Sequence, residues 1–183
     1  MLKLLHRIAL GLDAVSEWSG RAVAWLTLGM VLVTFAVVVL RYAFDLGWIA
    51  LQESITYQHA LVFLIGAAYT LKHDGHVRVD IFYQSFGPRM RAAVDLAGAL
   101  LFLLPVCGFV AWVSWDYVAM SWGLKEGSRD AGGLPYVYLL KGSILVMAAL
   151  LILQGVGQVL HGLLVLLGVE EEPPRPPVVE MEI

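Results

Sequence analysis

The chain has 183 residues, of which 60% are hydrophobic and 15% charged, with a formal net charge of -3. Soluble domains hold roughly 45–50% apolar and about 25% charged residues, and a chain this short cannot hide the excess behind a polar exterior, so its natural solvent is a bilayer. Scattered basic residues form no stripe that could neutralise a nucleic-acid backbone, and one cysteine, Cys107, excludes an intramolecular disulfide or a multi-cysteine metal site.

Met1 to Leu12 is interrupted by His6 and Arg7, unlike the apolar core of a cleaved signal peptide, so the N-terminus is expected to be retained. Leu2, Leu5, Ile8, Ala9 and Leu12 recur at helical spacing, with Lys3, Arg7 and Asp13 elsewhere, the pattern of a helix lying along the interface. Four apolar stretches follow, each near the ~20 helical residues that cross a hydrocarbon core of ~30 Å. The first, 22–40, is uncharged between Arg21 and Arg41. The second, 49–71, carries Glu53 in its first turns and His59 nearer its middle.

The third, 96–115, lies between Asp95 and Asp116. Pro105 at its centre removes a backbone donor and predicts a kink, while Trp112 and Trp115 are candidate interfacial anchors. The fourth, 142–164, follows Lys141, and its apolar run continues to Val169 past Gly162 and Gly168. Residues 1–169 thus read as a single membrane domain, and 170–183, rich in Pro and Glu, as a disordered tail.

The connection from Lys72 to Asp95 mixes Val77, Val79, Ile81, Phe82 and Phe86 with Arg78, Asp80, Arg89 and Arg91, a composition suited to the headgroup layer. An even number of spans places both termini together. On their side fall Lys3, Arg7, Arg21, Lys72, Arg78, Arg89, Arg91 and Arg175; opposite fall Arg41, Lys125, Arg129 and Lys141. Retention of basic residues in the cytoplasm then puts both termini inside. The expected class is an all-α integral membrane protein with four transmembrane helices, interfacial amphipathic segments, and cytoplasmic N- and C-termini.

Ionisable groups within spans are candidates for chemistry because their burial in lipid is costly. Glu53 lies ~6 Å inside the outer boundary, near enough to reach water or pair with Arg41. His59 and His161 invite a haem hypothesis, but at about 10 and about 20 residues from the starts of their spans they differ in depth by ~15 Å, so each reads as a satisfied polar histidine. His73 and His76 are too few ligands for a metal. His76 and Asp80 would share a face if their segment were helical. Asp116, Glu126 and Asp130 stand among turn residues without evident partners. Gln154 and Gln158 share a helical face, and Gly155, Gly157, Gly162 and Gly66 mark smooth surfaces for helix packing. With no nucleophile elbow, phosphate loop or two-carboxylate constellation, an enzyme is not expected.

These residues also form an ordered set. Arg41-Tyr42-Ala43-Phe44 closes the first span, and Trp48 and Glu53 open the second. Gly66, Tyr69 and the run GHVRVDIFY from Gly75 to Tyr83 follow, then GGLPYVYLLK from Gly132 to Lys141 and Leu153-Gln154-Gly155. From approximately Leu26 to Leu160 the chain resembles the small, four-span membrane subunit of tripartite ATP-independent periplasmic (TRAP) transporters, the DctQ-like family. That family often has a second acidic residue beside the position of Glu53; here Gln52 and Ser54 flank it.

The resemblance implies a heteromeric importer in the bacterial inner membrane. A periplasmic solute-binding protein captures a small organic acid such as a dicarboxylate, and a large multi-span subunit moves it by an elevator-like motion driven by sodium. Substrate and sodium ions are expected in those partners, with no substrate, metal or cofactor in this chain. The small subunit would brace the large subunit's scaffold and help offer a docking face to the binding protein. Its interface or structural candidates are Arg41, Trp48, Glu53, Gly66, Tyr69, His76, Arg78, Asp80, Pro135, Lys141, Gln154, Gly155 and Gln158. A haem-binding membrane anchor of a redox complex is the alternative.

Overall fold

No proline interrupts Leu2 to Phe44, and its glycines stand singly, each a modest cost to a helix. In the computed structural model, which describes residues 2–77 and 81–170, this stretch is one helix, α1 (Leu2–Phe44). The N-terminal segment is therefore not a separate interfacial helix, as its amphipathic spacing suggested, but runs unbroken into the first apolar stretch. Its 43 residues correspond to a length of ~65 Å, more than the ~40–45 Å of a bilayer with its headgroups.

A short connection with Asp45 at φ 55° leads to α2 (Ile49–Lys72). The chain leaves the helix at His73, so His76 sits in a bend and not on a helical face; Arg78 and Asp80 lie outside the described residues. A single turn, Tyr83–Ser85, precedes α3 (Pro88–Gly98), which starts on a proline where the missing N–H would be unpaired anyway.

From Pro88 to Leu124 the chain is helical throughout, as α3, a π turn at Ala99–Leu103, and α4 (Leu104–Leu124). Pro105 explains the π turn. It cannot donate to the Leu101 carbonyl, and its ring would press on that oxygen in a regular α-helix. The wider turn, in which the Leu104 N–H reaches back to Ala99, absorbs the conflict. The last helix is α5 (Val137–Leu166).

α1 packs along α2, α4 along α5, and α5 also meets α1, α2 and α3. The buried residues are mostly small: Ala9, Ser16 and Gly20 in α1, Ala68 in α2, Ser121 in α4, and Ser143, Ala148, Gly155 and Gly157 in α5. Small side chains bring helix backbones close, which matters where lipid supplies no hydrophobic drive for association. The large apolar groups point outward: Trp25, Phe35, Phe102 and Trp112 are all exposed.

α1, the α3–α4 stretch and α5 are each long and apolar enough to cross a membrane. Gln52, Glu53, Ser54, Gln58 and His59 make the first half of α2 more polar. The bundle has two ends. The loop end gathers the α1–α2 connection and residues 125–136; the terminal end gathers the start of α1, residues 73–77 and 81–87, and the end of α5.

Candidate functional site

At the loop end, α4 stops where Lys125 takes a left-handed conformation, φ 49°, and turns the chain into residues 125–136. Two carboxylates hold this loop. Glu53, in the second turn of α2, accepts hydrogen bonds from the Ser128 hydroxyl and, at 2.6 Å, from the backbone N–H of Leu134. Gly133 passes so close that a Cβ there would overlap Ser128 and stand 2.8 Å from Glu53 Oε1. Glu53 thus staples the loop to α2 and does not pair with Arg41, which is exposed in the last turn of α1.

Glu126 also has partners, contrary to its reading as an unsupported turn residue. The Ser121 hydroxyl donates to it at 2.7 Å and the Lys141 ammonium at 2.5 Å; Lys141 also stands 4.1 Å from the centroid of the Tyr117 ring. Pro135 packs beside Gly127, where a Cβ would lie 3.3 Å from the proline Cα. The hydrogen bond from Lys141, then that from Ser121, holds the Glu126 carboxyl below the usual 4.5.

A group whose pKa is lowered by folding contributes stability above its unfolded value and loses it as pH falls through the folded one. The melting-temperature difference between the native chain and Glu126→Gln is therefore expected to be constant above pH 4.5 and to shrink below it. A difference that grows on acidification would contradict the clasp.

At the terminal end, Asp13 and Glu17 lie one turn apart on α1 and face different neighbours. The Gln154 amide of α5 donates to Asp13 Oδ1 at 2.9 Å. His161 Nε2 lies 3.1 Å from Asp13 Oδ2, and its Nδ1 lies 3.0 Å from both oxygens of the Glu170 carboxylate. Glu17 receives Arg21 Nε at 2.7 Å, Lys72 Nζ at 2.7 Å and His73 Nε2 at 2.8 Å. One carboxylate ties α1 to α5 and the other ties α1 to α2.

Between the two ends, glycines seat neighbouring helices of this same chain. Tyr69 of α2 covers Gly20 of α1 so closely that a Cβ at Gly20 would overlap the ring. Leu103 and Leu104 approach Gly155, with a Cβ there 2.9 and 3.1 Å from their methyls, and Leu96 and the Ala92 carbonyl approach Gly162. Pro105 and Gly155 thus act at one crossing, where the π turn delivers two leucines to the glycine. Residues 30–164 match the family model described as the DctQ component of tripartite ATP-independent periplasmic transporters. The chain belongs to the DctQ family. No curated protein and no solved structure matches it.

This DctQ chain is accordingly a small membrane subunit of a TRAP transporter, an integral membrane protein of a transporter family and not of an enzyme family. Its remaining candidates are dispersed. Trp48 is exposed just before α2, Gly66 has open space where a Cβ would stand, and Gln158 is half-buried on α5. Both ring nitrogens of His161 are engaged by carboxylates, leaving neither for iron, and His59 is exposed on α2, stacked on Phe63 at 6.5 Å.

Sequence reasoning took Asp13 for the polar side of an interfacial helix and did not single out Glu17. The available signal was the small-residue row Ala9, Ser16 and Gly20 beside them. Such a row marks a face packed against protein, so carboxylates adjoining it are placed to bond across a helix crossing.

Proposed function

We propose that this chain is the four-span buttress of a TRAP importer in a bacterial inner membrane, with both termini cytoplasmic. α2 supplies the fourth crossing. Its 24 residues correspond to ~36 Å, and Glu53 and Lys72 bond to opposite ends of the bundle.

The observation that carries the reading is where the ionisable groups go. Asp13, Glu17, Lys72 and His161 are tied together at the terminal end, and Glu53, Glu126 and Lys141 at the loop end. Between them, among the described residues, His59 stands at intermediate depth on the outer face of α2 and Asp116 is exposed on α4 about two turns before its end. Charged groups used in this way fix helices to one another and line no path for a solute or ion, which suits a static scaffold.

Transport then belongs to the partners. The periplasmic binding protein selects a small organic acid, the large membrane subunit holds it and the sodium ions, and this chain widens and stiffens the large subunit's scaffold without a cofactor of its own. The stapled loop 125–136 lies on the periplasmic side in this orientation, where it can help seat the binding protein.

Reconstituted vesicles test this. Omitting the chain is expected to abolish sodium-driven uptake of the labelled acid while the binding protein retains its affinity for it. Undiminished uptake without the chain would overturn the proposal.

A further inference from the structure

α2 carries an unfilled packing seam. Within the helix the exposed residues are Ile49, Gln52, Thr56, His59 and Phe63, spaced by three, four, three and four. The same alternation continues to Gly66 and Thr70. That is the 3.5-residue repeat by which helices meet side by side at a shallow left-handed crossing, the commonest geometry between transmembrane helices. From Ile49 to Thr70 the row covers ~32 Å, the full depth of a hydrocarbon core of ~30 Å.

Two features of the row identify what fills it. In its first half, the side chains of Gln52, Thr56 and His59 make no hydrogen bond to another described residue, yet they stand outward on the helix that supplies the fourth crossing in the proposed arrangement. Acyl chains offer neither donors nor acceptors, so such groups favour a face covered by protein that does. In its second half, the row opens into a groove of about 590 Å³ between α2 and α1, walled by Ala24, Thr27, Val62 and Phe63 and floored in part by Gly66 and Thr70. A Cβ at Gly66 would meet nothing within 4 Å, which leaves room for an incoming helix. Gly20, Gly155 and Gly162 are covered in this way by the chain's own helices, whereas Gly66, like Gly11, Gly98 and Gly108, stands open.

We infer that this row on α2 seats one transmembrane helix of the large membrane subunit. The entering helix presents hydrogen-bonding side chains opposite Gln52, Thr56 and His59 and an apolar ridge into the groove at Gly66. A lipid would fill the groove but leave the polar half unmet. A second copy of this chain could pair Gln with Gln and Thr with Thr; the large subunit is favoured because the family is a component of a tripartite transporter, and the second copy is an outcome that the test reads. The inference rests on the proposed role as a subunit braced against a larger one, and it adds the face that does the bracing.

The test places a photo-reactive benzophenone amino acid at Phe63 in the assembled transporter. Illumination is expected to attach this chain to the large subunit. Gly66→Leu, which fills open space in the lone chain, is expected to leave its melting temperature unchanged while lowering co-purification of the large subunit at least about fivefold, as overpacking an occupied interface does. If Phe63 attaches only to lipid or to a second copy while the large subunit still co-purifies, the placement fails and the proposed function stands. If Gly66→Leu co-purifies as well as the native chain, the placement likewise fails. Absence of any large subunit from the purified native complex would overturn both.

Discussion

Gly20→Val is expected to lower the thermal stability of the isolated chain more than any other single substitution on α1. The position is buried, and the Cβ, Cγ and Cδ2 atoms of Tyr69 already occupy the space that a side chain would need. Because the tyrosine Cβ itself is in the way, a rotamer change cannot relieve the overlap, and α1 and α2 must separate. Overpacking of this kind costs about 1–3 kcal/mol. The separation would also draw His73, which caps α2 with its ring 4.3 Å from that of Tyr69, away from Glu17 of α1. Adding Tyr69→Gly, which removes that Cβ as well as the ring, is expected to restore part of the loss, whereas Gly66→Ala, on the same helix pair but facing open space, is expected to be neutral or slightly stabilising. Helix melting in detergent checks all three, and a Gly20→Val chain as stable as the native one would contradict the packing described.

Asp13→Ala is expected to be the most damaging loss of a polar group. Gln154 is 2% exposed, and its amide nitrogen bonds Asp13 while its amide oxygen has no partner among the described residues. Turning the amide over would set its oxygen against the carboxylate, so the observed orientation is the one Asp13 permits. Without Asp13 the whole amide is left buried and unpaired, which costs about 1–3 kcal/mol, and His161 loses the partner of one ring nitrogen. Asp13→Asn keeps an oxygen that can accept from Gln154 and is expected to retain most of the stability. Equal destabilisation by the two substitutions would place the effect in lost charge and not in the stranded amide.

The all-α class and the membrane setting were legible because they rest on composition and on apolar runs of bilayer length. Pro105 was legible too, since a proline at mid-helix must distort its surroundings; that the distortion is a π turn feeding Leu103 and Leu104 onto Gly155 depends on where α5 lies, which local sequence does not encode. The continuity of α1 was missed because the interfacial pattern of 2–12 and the apolar run of 22–40 look like different elements, although nothing between them ends a helix. Glu53, Glu126, Asp13 and Glu17 were visible as charges but not as clasps, because their partners lie up to 148 positions away in sequence. The seam on α2 was written in the spacing of Ile49, Gln52, Thr56, His59 and Phe63, but polar residues in such a row are easily taken for scattered imperfections of a span.

The central claim is that these helices brace a neighbour and leave cargo to other polypeptides. The most direct measurement is extraction of membranes in a mild detergent with purification through a tag on this chain. The account predicts that a much larger multi-span membrane protein accompanies it in fixed ratio; recovery of the chain as a stable, solitary monomer that itself retains a labelled organic acid would contradict it.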